Sequence, residues 1–115
     1  MHEMSLAEGV LGVIEEALRG EPAGSAQVRS VRLEIGQLAA VELSALRFAF
    51  EVVRQGTVAQ DAALDVVALP GQAWCMKCCQ TVTVEARGDG CPRCGSHQLQ
   101  VTGGDEMRVK ELELA

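Results

Sequence analysis

Cys75-Met76-Lys77-Cys78 and, after an interval of twelve residues, Cys91-Pro92-Arg93-Cys94 decide how this chain is read. A Cys-x-x-Cys turn aims two thiolates at one point about 2.3 Å away, and two such turns complete a tetrahedron around a metal ion. Zinc has no d-electron preference and takes four sulfurs readily. Gly88, Asp89 and Gly90 before the second pair, and Gly95 after it, supply the turns that such knuckles need. The spacing predicts Cys75, Cys78, Cys91 and Cys94 as the ligands of one structural Zn(II).

Other uses of the cysteines fit less well. Two disulfides would need an oxidising compartment, and Met1-His2-Glu3-Met4-Ser5 shows no basic region followed by an apolar run. A cytoplasmic location is the matching expectation. A redox dithiol normally uses one Cys-x-x-Cys at a helix start, not two facing pairs. Iron is a closer rival, because Cys91-Pro92-Arg93-Cys94-Gly95 resembles half of a rubredoxin site. Rubredoxins shield their iron with a small aromatic core, whereas this chain has one Trp, two Phe and no Tyr.

At 115 residues the chain supports one compact domain, or a small domain with a stapled module. Its 48% apolar content is enough for a modest core, and no apolar run approaches membrane-spanning length. A net charge of −6 opposes phosphate binding, so nucleic acid is not an expected partner. Within the knuckle segment Lys77, Arg87 and Arg93 are too few and scattered to form a basic patch.

Outward from the knuckles, the flanking segments alternate between helical and strand periodicity. Ser5 followed by Glu8 fits a capping box. Leu6, Val10, Val13, Ile14, Ala17 and Leu18 then recur at helical spacing until Gly20 and Pro22. Glu21 to Ser25 reads as a loop. Val31, Leu33 and Ile35 alternate with Arg32 and Glu34 in a half-buried strand ending at Gly36. Leu43, Leu46, Phe50 and Val53 make a second helical stripe closed by Gly56. Leu64 to Leu69 is a short strand stopped by Pro70, the exit into the cysteine module. In the module Thr81 to Glu85 and Gln98 to Thr102 read as ribbon strands. The tail from Met107 to Leu114 is a strand whose apolar residues change phase, Met107 and Val109 against Leu112 and Leu114. A strand changes its buried face only with a bulge or a new partner. The expectation is that the first half of the tail completes the ribbon and the second half joins the main sheet. The predicted fold is α+β: a three-stranded sheet with two helices, formed by residues 1–70 with 104–115, plus an inserted zinc-ribbon module at 71–103.

His2 is one of two histidines, and its position matters more than the count. The Met1 amine, the His2 amide nitrogen and the His2 imidazole can chelate one cation through fused five- and six-membered rings. A deprotonated backbone amide favours ions that prefer square-planar nitrogen donors, which means Ni(II) or Cu(II). Glu3 can add its amide nitrogen in the plane and its carboxylate from the side. The competing reading is a solvated His2, with Glu3 favouring the positive end of a helix.

Met1-His2-Glu3 followed by Ser5, with two Cys-x-x-Cys pairs far downstream, resembles the HypA/HybF family of hydrogenase-maturation nickel chaperones. The resemblance also covers Leu33-Glu34-Ile35-Gly36, the segment from Leu46 to Phe50, Trp74-Cys75 and the charged tail. It implies transient Ni(II) binding at His2 assisted by Glu3, and zinc on Cys75, Cys78, Cys91 and Cys94. It implies as partners a HypB-type GTPase and the large subunit of a [NiFe] hydrogenase.

Cys79 makes the cysteine count odd. It is read as a spare thiol, because neither Cys-x-x-Cys pair needs it, with an alternative as a ligand on a poorer turn. His97, three residues after Cys94, is read as a surface histidine, with ligand exchange near the zinc site as the alternative. No nucleophile–base pair or phosphate loop is present, so an enzyme is not expected. Apolar residues at exposed strand positions are compatible with a homodimer. The alternative to a nickel chaperone is a zinc-ribbon interaction or regulatory module in which His2 has no metal role.

Overall fold

The computed structural model of the chain describes residues 2–21 and 27–115. Two helices and six strands follow in the order α1 (His2–Ala17), β1 (Val28–Gly36), a 3-10 turn (Gln37–Ala39), α2 (Leu43–Val53), β2 (Ala63–Leu69), β3 (Gly71–Cys75), β4 (Gln80–Val84), β5 (Leu99–Gly103) and β6 (Met107–Leu114). The strands form two three-stranded sheets, one ordered β2-β1-β6 and the other β4-β3-β5. This is the α+β fold expected from the sequence, with a cysteine module set between β2 and β6. The chain divides into two compact units. One contains residues 1–33, 41–66 and 108–115, and the other residues 34–40 and 67–107.

In the first unit α1 and α2 pack on one another. Helix α1 buries Ala7, Val10 and Ile14, and α2 buries Leu46, Ala49 and Phe50. From β1, Val28, Val31 and Leu33 are buried in the same unit. The buried stripe of α1 is rotated from the one expected: Val13 is 50% exposed, and the small Ala7 takes the inward position. A face that abuts another helix closely favours a small side chain, which hydrophobicity alone ranks low. The helix also starts earlier than the capping-box signal at Ser5, because His2 is already helical. The acidic Glu3 sits in its first turn, where negative charge is favourable. Helix α2 starts at a cap the sequence reading did not single out. Glu42 is its N-cap and accepts from the Ser44 backbone N–H at 3.1 Å.

In the second unit β3 is central, paired antiparallel with β4 and β5. The sequence reading placed only the strands at its two sides. Strand β3 buries Gly71, Ala73 and Cys75 and exposes Gln72 and Trp74, so its alternation is clear but its inward residues are small. Leu38, Ala73, Cys75, Val82, Val84 and Cys91 form the core, with Cys78, Leu99 and Val101 packed against it. Strand β6 does not contribute to this sheet; all of it lies in the β2-β1-β6 sheet. Its phase change is present, with Met107, Val109 and Leu112 half-buried, but it occurs inside one sheet. Strand β3 fills the ribbon place expected for the first half of β6.

Residues 34–40 are held in the second unit by a close crossing. Gly36 donates to the Glu106 carbonyl at 2.8 Å, and Leu38 donates to the Gly104 carbonyl at 2.7 Å. A Cβ on Gly36 would meet the Gly104 backbone at 2.1 Å, and one on Gly104 would meet the Pro70 carbonyl oxygen at 2.2 Å. Only glycine fits at either place.

Candidate metal centres

The four predicted cysteines converge. Cys75 Sγ lies 3.7 Å from Cys94 Sγ, Cys78 Sγ lies 4.0 Å from Cys91 Sγ, and all four sulfurs are within 4.8 Å of one another. Ligands about 2.3 Å from a shared tetrahedral centre stand about 3.8 Å apart. The donor set and its spacing therefore fit zinc, and among the described residues no oxygen or imidazole donor joins the cluster, which disfavours harder ions.

Each knuckle is built in the same way. The Cys79 N–H donates to the Cys75 carbonyl at 2.8 Å, and the Gly95 N–H donates to the Cys91 carbonyl at 2.8 Å. Both donors follow the second cysteine of a pair, and both adopt positive φ, 55° at Cys79 and 76° at Gly95. Backbone N–H groups also point at the first sulfur of each pair, from Cys78 to Cys75 Sγ at 3.3 Å and from Arg93 to Cys91 Sγ at 3.4 Å. Such donors favour a thiolate. Backbone N–H groups of Cys94 first, and of Arg93, hold the Cys91 thiol down to about 7. Cys78 is pushed up to about 12, chiefly by its side-chain contact with Cys94 and then by desolvation. A cation in the centre would remove the mutual repulsion of the four thiolates.

Cys75 and Cys91 are buried, Cys78 is half-buried and Cys94 is exposed, so the cluster is closed below and accessible at one corner. Cys79 stands outside it, exposed, with its Sγ directed at the Met76 carbonyl at 3.7 Å. His97 is exposed and its ring lies over Gly90, 3.3 Å from where a Cβ there would sit. It does not belong to the sulfur cluster.

At the amino terminus Met1 lies outside the described residues, and His2 and Glu3 open α1. The His2 side chain is 62% exposed and Glu3 only 14%, with His2 Nδ1 at 3.8 Å from Glu3 Oε2. The first N–H groups of a helix have no carbonyl four residues earlier to bond with. The His2 and Glu3 amides are in that position. Glu3 Oε2 accepts from the Glu42 backbone N–H at 3.1 Å. That bond is the main cause holding the Glu3 carboxyl below its ordinary value. Glu42 was not among the residues singled out in the sequence; a backbone donor leaves no side-chain signature.

A family model described as "Hydrogenase/urease nickel incorporation, metallochaperone, hypA" matches residues 1–114. The hydrogenase maturation factors HypA of Dechloromonas aromatica (strain RCB) and Azotobacter vinelandii are 54% and 53% identical over 114 residues, spanning 99% of this chain and 99% of each relative. The solution structure of the Ni metallochaperone HypA from Helicobacter pylori has a TM-score of 0.69 at 29% identity, covering 97% of this chain and 96% of that one. A second HypA solution structure gives 0.71 at 30% identity, covering 100% and 97%. With a four-sulfur cluster of zinc geometry, and a family match along essentially its whole length, this chain belongs to the HypA family of nickel metallochaperones for hydrogenase maturation.

Proposed function

We propose that this chain captures Ni(II) with the Met1 amine, the His2 amide and imidazole, and Glu3, and delivers it for assembly of a [NiFe] hydrogenase. Cys75, Cys78, Cys91 and Cys94 hold a structural Zn(II) that keeps the ribbon folded. The observation that carries the nickel reading is the start of α1, where an exposed imidazole, a carboxylate 3.8 Å from it and helix-end amides meet. A carrier must let a recipient's ligands displace its own, and an exposed imidazole meets that need. Zinc serves here through its affinity for thiolates, which fixes two knuckles on a segment too small to fold by apolar burial alone.

The partners that suit this task are a HypB-type GTPase, which would share nickel handling, and the hydrogenase large subunit, which would receive the ion. A cytoplasmic location suits this reading, because a four-thiolate site needs a compartment that keeps cysteines reduced. A homodimer would be compatible with the apolar residues at exposed strand positions, Val67 and Leu114 among them. The nickel function is assigned to residues 1–70 with 104–115 and the zinc function to residues 71–103.

The test is nickel titration by calorimetry of untagged protein, of His2→Ala, and of protein with one residue added before Met1. The reading requires tight binding by the first and loss of at least about a hundredfold in the other two, with zinc unchanged. Equal affinity in His2→Ala and wild type would leave a zinc-ribbon interaction module as the better reading.

A further inference from the structure

Arg47 on α2 and Arg54 at its C-cap are about two turns apart, so they share one side of the helix. Both line a hollow of about 230 Å³ between α2 and the start of β2. Each gives its Nη1 to a backbone carbonyl, Arg47 to Leu64 at 2.8 Å and Arg54 to Ala62 at 2.6 Å. A structural task accounts for these bonds, because β2 is an edge strand and carbonyls along an open edge need donors. It does not account for the other side of each guanidinium. When Nη1 is engaged, the Nε–H and one Nη2–H point in parallel, as the fork that holds a carboxylate through two bonds. Arg54 Nε is buried without a hydrogen-bond partner, the only such side-chain atom among the described residues. An unmet buried donor costs free energy that an acceptor would recover. Neither arginine forms an ion pair among the described residues, although the chain carries a net charge of −6.

The geometry points to this hollow as a binding site for one carboxylate, gripped by the Nε–Nη2 side of Arg54 and by Arg47, and supplied by a small organic acid or by an acidic side chain of a partner protein. It shares no residue with either metal centre. Both guanidiniums are anchored on main-chain carbonyls before a ligand arrives, so little rotamer freedom remains to be lost. The Phe50 ring, 5.8 Å from the Arg54 guanidinium carbon, holds one face of that group. Ala62, Ala63 and Leu64 add apolar surface that suits the stem of an acid. Glu51 lines the same hollow and decides which anion fits. Two guanidiniums and one carboxylate leave a formal charge of one positive unit, which a single carboxylate balances and a phosphate dianion exceeds.

The test follows the Arg54 Nε–H signal by NMR in the whole protein. The probes are sodium acetate and a glutamate capped as acetyl and amide, each compared with sodium chloride at equal ionic strength. Either carboxylate should shift the signal saturably at millimolar concentration, and chloride should not. Saturation by one or both supports the site, and the tighter probe names the source: the capped glutamate for a protein side chain, acetate for a small acid. Arg47 is exposed, and Arg47→Gln should weaken binding about threefold, while Glu51→Gln should tighten it about threefold. Unchanged affinity in both variants would place the carboxylate elsewhere and overturn the proposal. Sodium phosphate binding more tightly than either carboxylate would overturn the choice of ligand. A signal that no anion moves would leave only water at Nε and refute the site, and that result needs no variant to fold.

Discussion

Cys75 and Cys91 sit buried among sulfurs, whereas His2 is 62% exposed at the start of a helix. The sulfur cluster draws its ligands from two turns, each closed by a 2.8 Å backbone hydrogen bond and anchored on the core of its unit. The proposed terminal donors sit within adjacent residues, and the Glu3 carboxylate among them accepts from the Glu42 backbone N–H. Burial and closure suit an ion that stays. Exposure and a short chelating segment suit an ion that leaves, because an incoming ligand can reach it. On the proposed reading, one small chain holds two metals at opposite ends of that range.

The strongest way to break this contrast is to open the closed site. Cys91→Ala should lose the one zinc per chain and, with it, most of the order of the ribbon. Structural zinc contributes roughly 10 kcal/mol or more to such modules. Proteolysis should concentrate between Pro70 and Gly103, while helical circular dichroism from α1 and α2 is largely kept. Full zinc content in the variant would refute the cluster as the zinc site. The open site should fail differently. Adding one residue before Met1 should weaken nickel by at least about a hundredfold and leave zinc content and thermal stability unaltered. An ordinary imidazole site would survive the extension.

Acid should separate two events at the terminus. Protons compete with nickel for the amine, the amide and the imidazole, so the ion should leave on mild acidification. The hydrogen bond from the Glu42 N–H to the Glu3 carboxylate should outlast it. The carboxyl of Glu3 is held below its usual value near 4.5 chiefly by the Glu42 N–H, so the bond contributes fully above that pH. It is lost only as the pH falls further, through the depressed value. Nickel release followed by calorimetry, and the Glu42 amide followed by NMR, should show two midpoints in that order. A single shared midpoint would mean that nickel itself holds Glu3.

The smallest effect concerns the two knuckles compared with each other. Cys79 and Gly95 occupy equivalent places, both at positive φ. A residue with a Cβ is disfavoured there, so Cys79→Gly should keep one zinc per chain and gain up to about 1 kcal/mol against denaturant. Cys79→Val should lose a similar amount. Loss of zinc in Cys79→Gly would give Cys79 a role as ligand.

Much of this was readable from side-chain chemistry. The cysteine spacing located the cluster, the alternation Val31, Leu33, Ile35 gave β1, and Leu46 and Phe50 gave the buried face of α2. What escaped reading follows from small residues and backbone groups. Strand β3 buries Gly71, Ala73 and Cys75, whose alternation carries little hydrophobic contrast. Ala7 replaced Val13 on the inner face of α1 for the same reason. Ser5 carried a local capping signal, yet the helix begins at His2, since a capping motif competes with every other way of satisfying a helix end. The phase change in β6 was visible, but which sheet accommodates it depends on pairing with distant β1. Glu42 escaped because its part is played by an N–H that every residue but proline carries.

The crossing of Gly36 with Gly104 also orders events in time. Almost the whole ribbon lies between these two glycines in the chain, so their contact is among the least local in the molecule. The knuckle turns are local, and can close as soon as Cys75 to Gln98 is available. Non-local contacts form late, because the intervening loop must be closed before they give any return. During synthesis β1 would emerge early and wait, its last residues without their Glu106 partner, until the residues through Glu106 had left the ribosome. The two knuckle turns would then already be closed, and the core beneath them would be completed only when Leu38 joined it.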